Sequence, residues 1–334
     1  MSLSAERLRA LTAFATTHLG ALDYAPTAAS SDASFRSYWR VASGGRSAIV
    51  MNAPPDKEDT RPFVDIAERL LGAGLRAPRI AAVDAAQGFL LLEDFGSATL
   101  LPALTETSVD QHYGTALDDL LRMQRTDTRS LPNYDSALLV AEMELFETWF
   151  LRRHLGLELS CDDTDRIEAC MSRLVASALE QPQVFVHRDY HSRNLMLLDD
   201  NALGVIDFQD AVLGPITYDL VSLLKDCYIQ WPLPRVYGWA ESFRQNAMAA
   251  GLVAVGPTRW RRWFDWMGLQ RHLKVLGIFA RLHYRDGKSG YLSDLPLVLD
   301  YTLGVCERYG ELADFGQWLE TLTAAARSRL TDPG

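Results

Sequence analysis

The chain is short of cysteine, of long apolar runs and of positive charge, and each shortage excludes a class of protein. Its four cysteines form no C-x-x-C pair and have no histidine at zinc-ligand spacing, which argues against a zinc site and favours a reducing, cytoplasmic location. No run of about 18 apolar residues occurs, so we expect no membrane span and no signal peptide. The formal net charge of −10 argues against general nucleic-acid binding.

The residue pattern divides the chain into a strand-rich part and a helical part. Apolar and polar residues alternate on either side of a Gly44-Gly45 turn, which predicts a hairpin, and residues 89–92 form a short buried run. Three- and four-residue spacing predicts helices over residues 4–19, 61–72, 108–125, 138–155, 163–180, 217–230, 259–284 and 313–330. We therefore expect an α+β chain, with a small β-rich lobe over residues 1–95 and a larger, mainly helical lobe over residues 96–334.

Three aspartates and an asparagine follow short strand-like runs in the helical part. The segment His187-Arg-Asp-Tyr-His-Ser-Arg-Asn194 is followed along the chain by Asp207 and then by Asp219. Phosphoryl transfer needs one carboxylate facing the acceptor hydroxyl, together with carboxylate and amide oxygens that hold Mg²⁺ against the nucleotide phosphates. Asp189, Asn194 and Asp207 fit those needs. A lone aspartate is more typical of a turn that flanks a hairpin, but three spaced members beside apolar runs favour the catalytic interpretation.

The motifs H-x-D-x-H-x-x-N, I-D-F and G-P-x-x-Y-D-L resemble those of the aminoglycoside phosphotransferase and choline kinase superfamily, whose members are relatives of protein kinases. This resemblance spans residues 25–310 and implies a two-lobed, protein-kinase-like fold that uses ATP and Mg²⁺. It implies that Asp189 is the catalytic base and that Asn194 and Asp207 bind the metal. The implied supporting residues of the catalytic loop are His187, His191 and Asp219.

The upper lobe departs from the pattern of that superfamily at the nucleotide phosphates. The candidate phosphate loop, residues 30–36, has no glycine, but it offers Ser31, Ser34 and Arg36. Met51 stands where a phosphate-binding lysine is expected, so the charge must come from Arg36, Arg40, Lys57 or the metal. Binding of nucleotide without turnover is the other alternative. The resemblance places the adenine against main-chain groups of Glu93 and Phe95.

The acceptor is predicted from the charge of residues 260–288, which hold seven basic residues against two aspartates. That sign disfavours a polycationic aminoglycoside and favours a neutral or anionic acceptor, which guanidinium groups can bind. Within the superfamily, residues 31–36, 51–55, 223–228 and 270–281 are most similar to the anomeric sugar kinases of bacterial cell-wall recycling. This resemblance implies that Met51 is a trait of the subfamily.

The subfamily resemblance implies ATP-dependent phosphorylation of the 1-hydroxyl of N-acetylmuramate or N-acetylglucosamine in peptidoglycan recycling. We expect the enzyme to be a monomer. The residues that the resemblance makes candidates for sugar contacts are Asp226, Tyr228, Arg271 and Arg281. An aminoglycoside- or choline-type kinase stays open as an alternative, as does a non-catalytic nucleotide-binding regulatory module.

Overall fold

The computed structural model describes residues 3–31, 35–326 and 329–331. The strands in this part of the chain are β1 (Thr27–Ser31), β2 (Ser37–Ser43), β3 (Arg46–Asn52), β4 (Ile80–Asp84), β5 (Phe89–Glu93), β6 (Gln183–Val186), β7 (Leu195–Leu197), β8 (Leu203–Val205) and β9 (Val212–Pro215). The helices are α1 (Ala5–Leu19), α2 (Arg61–Gly72), α3 (Val109–Gln124), α4 (Ser136–Leu145), α5 (Cys161–Leu179), α6 (Tyr218–Leu224), α7 (Leu233–Ala249), α8 (Pro257–Asp286), α9 (Leu295–Arg308) and α10 (Ala313–Ala325).

The chain divides into two compact units. The first combines Met1–Ala116 with Arg193–Asp210, and the second combines Leu117–Ser192 with Ala211–Gly334. Residues 193–210 therefore pack with the amino-terminal residues, although more than 70 residues of the second unit precede them in the sequence. The predicted lobe boundary after residue 95 stays a prediction.

The first unit is built on an antiparallel sheet of five strands in the order β1-β2-β3-β5-β4. The predicted hairpin is β2 and β3, paired from Ser37↔Asn52 to Ser43↔Arg46, and both turn glycines have positive φ. Helix α1 buries Leu11 and Phe14 against this sheet. The small β7–β8 hairpin is joined to the rest of this unit by a backbone hydrogen bond, in which Leu100 N donates to Leu195 O at 2.8 Å.

The second unit is mainly helical and is organised around α8, which is 30 residues long. Helices α4, α5, α6 and α9 pack against it, and most of its middle residues are buried. The only sheet of this unit among the described residues is the β6–β9 pair. The central turns of α8 have few exposed positions, so the polar residues there are largely removed from water.

Several predicted element bounds need correction. The helix predicted over residues 138–155 is α4 followed by a π-helix over Phe146–His154. The helix predicted over residues 217–230 ends at Leu224. The chain turns at Lys225, and the Asp226 carboxylate then accepts a hydrogen bond from Ser192. Strands β1, β4, β7 and β9 and helices α7 and α9 were not predicted. None of the described helices is both long and apolar enough to cross a membrane.

Candidate active site

The turn after β6 carries Asp189, and hydrogen bonds to Asp219 hold this turn in place. The buried Asp219 carboxylate accepts the backbone N–H of His187 at 2.7 Å and that of Arg188 at 3.0 Å. Arg188 has a φ of 78°, a conformation that is rare for a residue with a side chain and that needs support from its surroundings. Burial raises the pKa of Asp219 to about 7 despite these two donors.

The Asp189 carboxylate lies among positive charges of the second unit. Burial alone would raise its pKa, but the charges of Lys274, His191, Arg271 and Arg188 outweigh that effect and lower the pKa to about 2. Asp189 is therefore ionised at neutral pH. An ionised carboxylate that follows a strand end and is held by a braced turn can accept a hydrogen bond from an alcohol.

A buried charge cluster that the sequence did not reveal supports this turn. Glu142 on α4 pairs with Lys274 on α8 at 2.9 Å, and it also accepts hydrogen bonds from Arg188 and from the hydroxyl of Tyr134. Lys274 Nζ donates in addition to the Tyr218 hydroxyl at 3.0 Å. The only sequence signal was that Glu142 falls on the apolar face of its helix, beside Leu139 and Met143.

Asp226 holds the second half of the same loop. One carboxylate oxygen accepts both the backbone N–H of Ser192 at 3.0 Å and the Ser192 hydroxyl at 2.5 Å, and the other accepts the N–H of Tyr228 at 3.2 Å. The ring of Tyr228 meets His191 edge to face. Asp226, a predicted sugar contact, thus acts in this structure as a positioning residue, and Ser192 is a partner that the sequence did not indicate.

The first unit carries the predicted metal-binding residues. Asn194 Nδ2 donates to Asp207 Oδ2 at 3.3 Å, and Gln209 Nε2 donates to Asp207 Oδ1 at 3.2 Å. The backbone of Asp207 has a φ of 64°, again a conformation that favours glycine. The two predicted ligands therefore lie side by side within one unit, and Gln209 is an addition that the structure reveals.

These donors suit magnesium better than a transition metal. Mg²⁺ is commonly held by one or two carboxylates plus phosphate oxygens, and Asp207 with the amide oxygen of Asn194 provides a protein share of that size. Among the described residues no group of three or more His, Cys, Asp or Glu side chains could hold a metal ion.

The candidates for nucleotide binding also lie in the first unit. Met51 on β3 is fully buried and supplies no charge. Arg40 forms an ion pair with Asp94 at 2.7 Å. Arg36 lies 3.8 Å from Asp210, which also accepts from Gln209 at 3.1 Å. Arg36, one of the candidate cations, therefore lies near the segment that contains Asp207.

The remaining nucleotide candidates lie at the two ends of the sheet. The N–H of Glu93 donates to the Arg79 carbonyl at 2.9 Å and is therefore not available to a ligand. The ring of Phe95 packs so closely on Gly204 that a Cβ there would come within 2.6 Å of it. Ser31 ends β1, but its side chain, like all of Ser34, lies outside the described residues.

The basic stretch of residues 260–288 is not one continuous charged surface. Arg262 pairs with Glu311 at 2.8 Å and Arg285 with Asp286 at 2.8 Å, so part of the charge is neutralised locally. Arg271 and Lys274 are buried. Arg281 has a lowered pKa because of burial and the neighbouring charge of Arg285.

Comparison with known proteins identifies the family. The family model described as the phosphotransferase enzyme family matches residues 26–263. The chain belongs to the phosphotransferase enzyme family. The match covers both the braced turn at Asp189 and the Asn194–Asp207 pair, so the predicted superfamily is confirmed.

Individual relatives of this phosphotransferase extend the match. An N-acetylmuramate/N-acetylglucosamine kinase of Pseudomonas aeruginosa is 48% identical over 303 residues, covering 90% of this chain and 89% of the relative. A protein of the same name from Pseudomonas putida is 46% identical over 304 residues, covering 90% of this chain and 89% of the relative. The ADP-bound crystal structure of aminoglycoside phosphotransferase APH(2'')-Ib has a TM-score of 0.59 at 15% identity, covering 91% of this chain and 99% of that one. The predicted kinase-like fold is confirmed.

Proposed function

We propose that this phosphotransferase transfers the γ-phosphoryl group of ATP to the anomeric hydroxyl of N-acetylmuramate or N-acetylglucosamine. The observation that carries the proposal is the Asp189 carboxylate, kept ionised by surrounding cations on a turn that Asp219 and Asp226 brace. The acceptor is suggested by the names of relatives that are 46–48% identical over 90% of the chain. A resemblance to anomeric kinases suggests the 1-hydroxyl and a place in peptidoglycan recycling.

In the proposed reaction Asp189 orients the sugar hydroxyl and accepts its proton. The hydroxyl oxygen forms a bond to the γ-phosphorus, the bond from the γ-phosphorus to the bridging oxygen breaks, and ADP leaves with that electron pair. A pKa of about 2 makes Asp189 a weak base for an intact alcohol. Its proton transfer is therefore expected late, once the forming bond to phosphorus has made the hydroxyl acidic.

The nucleotide side of the proposal rests on the first unit. Asn194 and Asp207 would hold Mg²⁺, which when bound neutralises charge on the phosphates. Arg36 is proposed to supply the positive charge that Met51 does not, because it lies near Asp210 in the same segment as Asp207. Ser31 and Ser34 remain predicted phosphate contacts, and Glu93 and Phe95 remain predicted adenine contacts.

A panel of acceptors scored by ADP release tests the function. N-acetylmuramate and N-acetylglucosamine should each stimulate ADP release well above the sugar-free rate, whereas kanamycin and choline should not. Asp189→Asn, which keeps the size of the side chain but removes its charge, should abolish the stimulation. Preference for a cationic acceptor would favour an aminoglycoside- or choline-type kinase, and ATP binding without turnover of any acceptor would favour the regulatory module.

A further inference from the structure

Arg271, in the middle of α8, is a buried cation with almost no partner. It is 3% exposed, and among the described residues its single hydrogen bond runs from Nη1 to the sulfur of Cys227 at 3.2 Å. It forms no ion pair with any carboxylate in the described part of the chain. A guanidinium has five N–H donors, and a thiol is a weak acceptor, so most of the binding capacity of Arg271 is unused.

Such an arrangement is costly unless an anion completes it. Removing a guanidinium from water without pairing it is unfavourable by several kcal/mol, so buried arginines are normally paired with carboxylates or phosphates. Two other cations of this region follow that rule, because the buried Lys274 and the half-buried Arg188 both pair with Glu142. Arg271 is the exception in this cluster.

The nearby carboxylates do not satisfy Arg271. Burial lowers the pKa of Arg271, but Cys227, Tyr218 and the carboxylates of Asp189 and Asp226 outweigh that effect and raise it. The oxygens of Asp226, however, are used by Ser192 and Tyr228. Arg271 contacts Cys227, and the adjacent Asp226 holds Ser192, three residues after Asp189. The guanidinium therefore lies near the loop that carries the carboxylate proposed to face the acceptor. An anion bound by Arg271 would therefore belong to the acceptor or to the transferred group.

We infer that Arg271 is the receptor for a carboxylate on the acceptor sugar. This inference rests on the proposed function and deepens it. N-acetylmuramate is N-acetylglucosamine with a lactyl ether on the 3-oxygen, so the two sugars differ by one carboxylate, carried about one sugar ring away from the reacting hydroxyl. The planar fork of arginine matches a carboxylate in a two-point hydrogen bond.

Arg281, the other predicted contact, fits this role less well. It follows Arg271 by ten residues, which corresponds to about 15 Å along the axis of α8. Its charge interacts with those of Arg285 and Asp286, near the end of the helix. The two arginines therefore cannot bind the same carboxylate while the sugar hydroxyl lies at Asp189.

The test compares the two sugars within each variant. We expect Arg271→Gln to lower kcat/KM for N-acetylmuramate about 10²-fold relative to that for N-acetylglucosamine, because a charged two-point contact is lost from only one substrate. Arg271→Lys should lose less, since it keeps the charge without the fork. The ratio within one preparation does not depend on how much of the variant is folded. Arg262→Gln is the control, because this arginine of the same helix pairs with Glu311 at the surface and should leave the ratio unchanged.

Two outcomes would overturn the inference. An equal loss for both sugars would mean that Arg271 acts on the transferred phosphoryl group or on Asp189, and a change of the ratio in Arg281→Gln but not in Arg271→Gln would assign the carboxylate to Arg281. Calorimetric binding of each sugar to the wild type and to Arg271→Gln gives the same comparison without turnover. Equal affinities of the wild type for the two sugars would refute the inference, whereas inactivity towards both sugars would contradict the proposed function.

Discussion

Replacement of Asp219 tests whether the buried brace fixes the turn that carries Asp189. In Asp219→Ala the N–H groups of His187 and Arg188 lose their acceptor in a place where water cannot easily replace it. Each buried donor left without a partner costs about 1–3 kcal/mol, so we expect a loss of about 2–6 kcal/mol in the free energy of unfolding. Asp219→Asn keeps one acceptor oxygen and should lose about half as much.

The two variants are compared by urea unfolding and by turnover of the folded protein. Turnover should fall more than the affinity for ATP, because the brace lies in the second unit beside Asp189 and the predicted metal-binding residues lie in the first. Asp314→Asn serves as the control, since the Asp314 side chain is 80% exposed and its pair with Arg166 lies at the surface, so a change within about 0.5 kcal/mol is expected. Wild-type unfolding and turnover in Asp219→Ala would refute the reasoning.

The same carboxylate predicts a pH dependence. A folded-state pKa of about 7 lies above the unfolded value of about 3.9, so the folded protein binds the proton more tightly. The part of the stability that comes from this tighter proton binding is therefore fully present below about pH 4 and is lost as the pH rises towards about 7. The stability difference between the wild type and Asp219→Asn should shrink across that interval in urea titrations, and a difference that grows would contradict the assigned shift.

Four further variants probe the rest of the site and the core. Asp189→Ala should lower turnover by about 10²–10⁴-fold in an ADP-release assay without loss of folding, and near-normal turnover would remove Asp189 from the chemical step. Asp207→Ala should show little activity at any Mg²⁺ concentration, whereas full rescue by excess metal would leave it a secondary role. Lys274→Met should raise the pKa of Asp189 and so move any acidic limb of kcat/KM to higher pH, which a pH profile measures. Gly277→Ala should cost about 1–3 kcal/mol in thermal unfolding, because a Cβ there overlaps the backbone of Leu145, and an unchanged midpoint would show that α8 can shift.

The sequence was most informative where local patterns determine structure. The hairpin of β2 and β3 follows from alternation around two glycines, and the turns at Asp189 and Asp207 follow apolar strand runs. Strands β1 and β4 escaped prediction because they are short and rich in alanine or serine, which gives little β-pattern. The helix over residues 138–155 was mispredicted because its apolar spacing does not distinguish an α-helix from a π-helix.

What the sequence could not show depends on contacts between distant residues. The Glu142–Lys274 pair joins two helices far apart in the chain, and the return of residues 193–210 to the first unit depends on strand contacts such as that of Leu195 with Leu100. Asp226 illustrates the same limit. Its residue type suited a sugar contact, but only the structure shows that Ser192 and Tyr228 use its oxygens.

The most direct test of the proposed function is an NMR spectrum of the product formed from N-acetylmuramate, ATP and Mg²⁺. The account predicts a phosphorus resonance coupled to the anomeric proton of the sugar, formed by the wild type and absent with Asp189→Asn. A phosphate on any other hydroxyl, or the same product formed at an undiminished rate by Asp189→Asn, would contradict it.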